Sequence, residues 1–465
     1  MGLKRRWVRQ NWDTVRFLLS VTAVSMVCVA IAQSSGNAFQ AGSLFTPEER
    51  GQILEFWSAP NRYVVTPPTD CKTKGLWQVR QTPEASVWLW NYNKLRKVSA
   101  PPTADAQPAN DQQKSWEAWL VKKLNYDRWQ AWQSARLNNQ QVLGIDAPPA
   151  DKGMPATEPP PPGPEPTDME LAVGSPPSLA QAVVPMHHTV NFDDIALPYV
   201  DNVKLGNPRY PYYRFGQGVN SNGQAVSGDR LAHLCQLASC SDSESRIMQA
   251  VSRLEGGFDS VNTYDTGFVS VGFIQFASLK EGGGSLGGLL LEYKQDDPTD
   301  FATDFHKFGI EVGPTGILDV VDPSTGAEVT GPDANARIIW DKRLVAVFQR
   351  AGLKSDPFCA AQIKAAKTIF YPAQDSITCT CCNGTPISGK VGDFIKSEAG
   401  LATLFDRKVN TGNISQLAKV CSQVCMQHKL TAIDQLAAYE REIVAAMKYR
   451  EDFLQDGDLS QPSSK

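Results

Sequence analysis

The chain carries almost no net charge, no internal repeat and only one apolar run, and each of these narrows the field. The formal charge is −4 over 465 residues, so no argument arises for nucleic acid or an acidic polymer as a bulk electrostatic partner. The glycine cluster Gly282-Gly283-Gly284 with Gly287-Gly288 has no Lys-Ser/Thr after it and resembles no phosphate loop; a flexible turn followed by a helix over Leu289–Tyr293 is expected there. No Ser-His-Asp or Cys-His arrangement stands out. His187-His188 with Asp193-Asp194 lacks the fixed helical spacing of a metal site and reads as a surface lead-in to a domain. Neither a metal nor a cofactor is indicated.

Hydrophobic residues make up 42% and charged residues 20%, which allows one sizeable folded domain and a smaller one. The single apolar run, Phe17–Ala32, follows Lys4, Arg5, Arg6, Arg9 and Arg16. Its sixteen residues would span ~24 Å as a helix, short of a ~30 Å hydrocarbon core. Ala30-Ile31-Ala32 fits a cleavage site, while the basic flank would equally hold an uncleaved anchor through residues 17–32. Both readings of residues 1–33 export the rest of the chain, to a periplasmic or extracellular location. Beyond Cys28 and Cys71, eight cysteines fall between Cys235 and Cys425, a number that predicts disulfides in an oxidising compartment.

Residues 147–178, with EPPPPGPEPT, read as a proline-rich linker. It divides a tryptophan-rich, mostly helical region (34–146) from a catalytic domain (179–455), followed by a disordered tail (456–465). Trp57, Trp77, Trp88, Trp90, Trp116, Trp119, Trp129 and Trp132 read as the core of a small helical domain, with an aromatic platform for a sugar chain or an envelope partner as the rival reading. Leu430–Leu454 has the pattern of an amphipathic helix.

The chemistry concentrates in residues 255–276, EGGFDSVNTYDTGFVSVGFIQF. Ser241-x-x-Glu244 is a capping box, and the helix it opens carries Ile247, Val251 and Leu254 on one stripe. Glu255 ends that helix on the edge of the stripe, where partial burial and the helix dipole both favour a protonated carboxyl. Gly256-Gly257 stops the helix and is expected to leave room for a polymer backbone. Asp265 follows in the polar turn Asn262–Gly267, and Phe268–Phe276 reads as a strand or short buried segment. One carboxyl that keeps its proton and one that stays ionised are what glycosidic cleavage requires. Glu255 and Asp265 are therefore the candidate catalytic pair, and Asn262, Tyr264, Ser270, Gly272 and Gln275 the candidate substrate contacts. The plain alternatives are a water-facing last-turn Glu, an Asp serving turn geometry, and a Gln satisfied by backbone.

Glu255-Gly-Gly-Phe258, followed by Ser270-Val-Gly272-Phe-Ile-Gln275-Phe276, resembles the catalytic signature of the lysozyme-like superfamily, in the lytic transglycosylase form Glu-Ser-x-Phe, loop, Gly-Leu-Met-Gln. The resemblance covers residues 244–276. It implies a mainly α fold with a small β-hairpin, Glu255 as general acid, Phe258 as a buried aromatic and a β-1,4-linked amino-sugar polymer as substrate, peptidoglycan or chitosan-like. Gly256 stands where the pattern has Ser. Asp265 is more like the second acid of phage-type lysozymes and chitosanases. Hydrolysis through Asp265, internal attack by an N-acetyl group, and an inactive glycan-binding or structural envelope or virion module all remain open at this point.

Overall fold

The computed structural model describes residues 42–66, 78–96, 110–138, 157–183, 186–201, 215–253, 256–265 and 267–463. Residues 1–33, where an export signal or anchor is expected, and Cys71, Trp77 and Glu255 lie outside the described residues. Among those described, no helix is long and apolar enough to cross a membrane. Residues 48–465 form one compact unit, and its elements are mainly helical with several small sheets.

The N-terminal part contains α1 (Pro47–Ser58), β1 (Tyr63–Thr66), β2 (Gln78–Arg80), α2 (Pro83–Leu95), α3 (Asp111–Asn138), α4 (Thr167–Val173), β3 (Gln181–Val183), β4 (His187–Asn191) and β5 (Ala196–Val200). Thr82 caps α2 by accepting from Ala85 N at 3.0 Å, with Pro83 preset for the first turn. Trp88, Leu89, Tyr92, Trp116 and Leu120 from α2 and α3 then bury one another together with Met169 and Leu179. Trp88 and Trp116 are core here, while Trp90, Trp119, Trp129 and Trp132 are only half-buried. The Tyr92 hydroxyl donates to Glu117 Oε1 at 2.8 Å, and Arg96 pairs with the same carboxylate.

Two expectations about domain organisation fail. Met169 is fully buried, Trp88 Nε1 donates to Gly174 O at 2.7 Å and Trp119 Nε1 to Gly163 O at 3.3 Å, so residues 157–178 are a packed strap rather than a linker. Proline-rich backbone without internal hydrogen bonds offers its carbonyls to indole donors, which is why it docks. The tryptophan-rich region is not separate either. Strand β1 pairs with β4 antiparallel, Tyr63 opposite Val190, and Trp57 Nε1 donates to Phe308 O at 3.0 Å.

The middle of the chain holds β6 (Asn220–Ser221), α5 (Gly228–Leu237), α6 (Asp242–Ser252), β7 (Val261–Asn262), β8 (Val269–Val271), β9 (Phe276–Ser278), α7 (Ser285–Asp296), α8 (Pro298–Asp304), the strands β10 (Ile310–Val312), β11 (Leu318–Val321) and β12 (Glu328–Thr330), then α9 (Pro332–Trp340), α10 (Lys342–Lys354) and α11 (Asp356–Phe370). Leu344 through Phe348 of α10 are wholly buried, and Phe305 packs on Phe348 and Phe358 with ring centroids at 5.6 and 4.9 Å. The small sheet β6-β7-β8-β9 packs on neighbouring helices, β9 against α7 and β7 against α10. The predicted hairpin is present: Phe268–Phe276 is not one strand but β8, a turn and β9.

The sheet β10-β11-β12 carries an acid cluster. Asp319 faces Glu311 and Thr330 across the strands, is 6% exposed, and its Oδ1 has no hydrogen-bond partner. Glu311 is held ionised by Lys294 at 2.9 Å and His306 at 2.8 Å. Burial first, and then the neighbouring Glu328, push the Asp319 carboxyl up to about 8. An unfolded aspartate titrates near ~3.9, so between that pH and about 8 the folded state binds more protons and stability falls as pH rises. Asp319→Asn is therefore predicted to stabilise the fold by ~1–3 kcal/mol at pH 8 and by much less at pH 5. Thermal melts at the two pH values test this; an equal shift at both would refute the protonation argument.

The C-terminal part has the hairpin β13 (Ser376–Thr380) and β14 (Pro386–Lys390), followed by α12 (Glu398–Thr411), α13 (Gln416–His428) and α14 (Glu440–Met447). The helix expected over Leu430–Leu454 is broken. Lys429 adopts a left-handed backbone that ends α13, and 3-10 turns at Asp434–Tyr439 and Phe453–Gln455 flank the short α14. The expected disordered tail is packed through residue 463: Leu459 is buried, and Ser460 N donates to Glu398 Oε2 at 2.9 Å. No two of the eight described cysteines stand at disulfide distance. Most are buried as small apolar groups. The Cys359 thiol donates to Gly352 O at 3.1 Å, and burial pushes it up to about 12.

Candidate functional site

Helix α6 starts as the sequence predicts. Ser241 Oγ accepts from Glu244 N at 3.3 Å, and Glu244 Oε2 accepts from Ser241 N at 2.9 Å. Ile247, Met248, Ala250 and Val251 bury its inner face, which fixes where its C-terminal end emerges. Past Arg253 the chain turns. Gly256, at φ +145°, donates to Ser252 O at 3.3 Å, and Gly257 N donates to Asn222 O at 2.8 Å.

The glycine pair does a different job from the one expected. A Cβ on Gly257 would lie 2.3 Å from Gln224 O, and one on Gly256 2.8 Å from Asn222 O. The space beside these glycines is thus filled by the protein's own segment 222–224 and is not left open for a polymer. Asp259, 3% exposed, secures that segment by accepting from Gln224 N at 2.8 Å.

An opening borders the same turn and the same segment. A cavity of about 350 Å³ is bounded by Asn222, Gln224 and Val226 on one wall, Leu231 and Gln249 from α5 and α6, and Ser252, Arg253, Gly256 and Gly257 from the turn, with Phe258 and Phe273 also lining it. Its polar lining is amide and hydroxyl, with one cation, Arg253, which also approaches Asp456 at 3.5 Å and Asp458 at 3.7 Å. No carboxylate belongs to the described lining.

The hairpin is held by a compact network. Ser260 Oγ donates to Gly272 O at 2.7 Å, and Gln275 Nε2 donates to Ser260 Oγ at 2.6 Å and to Gly272 O at 3.0 Å. Gln275 sits at φ +55° and Gly272 at φ +84°, so the turn between β8 and β9 is left-handed at both ends. Across it, Gln362 from α11 accepts from Phe273 N at 3.2 Å and donates to Phe258 O at 3.0 Å. Phe258 and Phe273 meet at 4.9 Å between ring centroids. Gln275, Gly272 and Ser270 are thereby structural neighbours of the cavity wall rather than part of its lining.

Asp265 is also occupied locally. Its Oδ1 accepts from Gly267 N at 2.9 Å and its Oδ2 from Asn262 Nδ2 at 3.1 Å, while Asn262 Oδ1 accepts from Tyr264 N at 3.2 Å. Burial raises its carboxyl, and these two donors pull the other way. This is a self-contained Asx turn, and neither Asp265, Asn262 nor Tyr264 lines the cavity.

The sequence reading missed Gln362, Asp259 and the segment 222–226. An amide inside the apolar stretch Phe358–Ile363 was a visible signal for Gln362, of the same kind as Gln275. Segment 222–226 carries no signal, because its role depends on a chain approach that only the fold creates. No family model, no curated protein and no solved structure matches this chain.

Proposed function

We propose that this chain is an exported enzyme that cleaves a β-1,4-linked amino-sugar polymer, peptidoglycan foremost, with Glu255 as the proton donor. The observation that carries the reading is the cavity beside the end of α6. Ser252 and Arg253 precede Glu255, Gly256 and Gly257 follow it, and all four border one amide-lined opening of about 350 Å³. Amides and hydroxyls match the acetamido and hydroxyl groups of such a polymer, which carries little charge along its sugar backbone.

The turn chemistry of Asp265 favours internal attack over hydrolysis. With both oxygens engaged inside its own loop, Asp265 acts in this reading as a turn residue and not as a base for water. The Glu255 carboxyl gives its proton to the glycosidic oxygen as the C1–O bond breaks, and the substrate's acetamido oxygen bonds to C1. The C6 hydroxyl then displaces that oxygen from C1 and returns its proton to the Glu255 carboxylate. The product is a 1,6-anhydro end, with no net gain of water.

Mass spectrometry of the products from purified peptidoglycan, with chitosan in parallel, tests the proposal on the full chain. Anhydro-ended muropeptides are the expected result. Reducing ends would restore Asp265 or another base and make the enzyme a hydrolase; cleavage of chitosan alone would make it a chitosanase. No product from either polymer, with the chain folded, would leave a glycan-binding module.

A further inference from the structure

A second opening lies on the same chain segment that walls the first. Residues 215–217 line a groove of about 440 Å³ together with Arg80, Glu84, Gln181 and Trp340. Five residues farther on, the segment reaches Asn222 of the first cavity. An extended chain spans at most ~3.6 Å per residue, so the two openings are within about 18 Å along this segment.

The groove is assembled from four stretches of chain, 80–84, 181–183, 215–217 and 339–340, and tied at their backbones. Lys342, 1% exposed, donates its Nζ to Gln217 O at 2.5 Å on one wall, and to Ile339 O at 2.9 Å and Trp340 O at 3.3 Å on the other. Arg80 Nη2 donates to Gly216 O at 3.2 Å and joins a third. Phe215 N donates to Tyr264 O at 3.0 Å, and its ring lies 5.2 Å from Phe268, so the groove also abuts the Asn262–Gly267 turn.

Trp340 is the conspicuous member. It ends α9 with 63% of its surface exposed, whereas Trp57, Trp88 and Trp116 are buried to 8% or less. An indole left in water costs solvation free energy unless something covers it. The groove around it offers two glutamine amides, and one cation and one carboxylate whose charges cancel. That lining selects a neutral ligand with an apolar face and a rim of hydroxyls or amides. A pyranose ring has this shape: its C–H face stacks on an aromatic plane while its edge groups bond to amides.

We propose that the Trp340 groove is a saccharide-binding subsite, in which the indole stacks on a sugar ring and Gln181 and Gln217 bond its edge. This rests on the amino-sugar reading for the choice of ligand, and it makes the two openings successive contacts for one strand. A strand reaching both gains affinity over one reaching either alone.

The test uses the full chain carrying Glu255→Gln, so that binding is read without turnover, and calorimetric titration with the hexamer and the dimer of β-1,4-linked N-acetylglucosamine. Trp340→Ala is expected to weaken hexamer binding about 2- to 10-fold, with Trp340→Tyr recovering most of the loss and dimer binding changed less. An exposed side chain is removed, so folding is preserved, and circular dichroism checks it. Equal hexamer affinity with and without the indole overturns the subsite, as does a hexamer that fails to bind at all. Cleavage of peptidoglycan by the chain with native Glu255 is scored separately, so loss of activity there sinks the enzymatic reading while leaving the titration to judge the groove.

Discussion

Glu255→Gln is expected to lower glycan cleavage by about 10²- to 10⁴-fold, the range a positioned general acid contributes, while Asp265→Asn leaves it within a few-fold. The contrast follows from where the two positions stand. The residues flanking Glu255 border the cavity, and glutamine keeps the volume of glutamate while losing the transferable proton. Asp265 spends its oxygens on Gly267 N and Asn262 Nδ2, so asparagine there loses one hydrogen bond at the cost of ~1 kcal/mol of stability. Initial rates of soluble muropeptide release from both variants decide the matter. A collapse of activity in Asp265→Asn comparable to that in Glu255→Gln would return Asp265 to the catalytic role that its distance in sequence first suggested.

How much of this was legible beforehand depends on the range of the interaction. The capping box of α6 and the burial of Trp88 and Trp116 are decided by neighbours three or four residues apart and are readable as patterns, whereas the hairpin after α6 was implied only by the resemblance. Gly256-Gly257 was readable as an interruption but not in its purpose. Whether a missing side chain admits a ligand or the protein's own backbone depends on segment 222–224, which packs there through tertiary structure alone. The proline-rich strap misled for a related reason: its composition suits an extended chain, and only the indole donors of Trp88 and Trp119 turn extension into docking. The cysteine count carried no geometry. Eight thiols permit four bridges, but burial in an apolar interior satisfies cysteine equally well. Asp265 was the closest case. Asp-Thr-Gly is turn chemistry and a second acid at once in sequence, and the two donors to its oxygens support the turn reading.

Gln362 carries the largest expected effect on stability near the site. Gln362→Ala removes the acceptor for Phe273 N–H and the donor to Phe258 C=O, and both groups lie where water does not reach. Each buried backbone group left unpaired costs ~1–3 kcal/mol, so the variant is expected to lose ~2–5 kcal/mol in urea unfolding at pH 7. The same side chain constrains Gly272. An alanine Cβ there would lie 2.0 Å from Gln362 Oε1, on a backbone already at φ +84°. Gly272→Ala therefore carries two separable penalties, overlap with the amide and left-handed strain of ~1–2 kcal/mol. Removing the amide relieves the first and leaves the second, so Gly272→Ala should cost less in the Gln362→Ala background than alone, by ~1 kcal/mol or more. Strict additivity would mean that the turn relaxes away from α11 without help. In that event the hairpin is not clamped to α11, and the wall that Phe258 and Phe273 give to the cavity would owe its position to the ring contact between them rather than to Gln362.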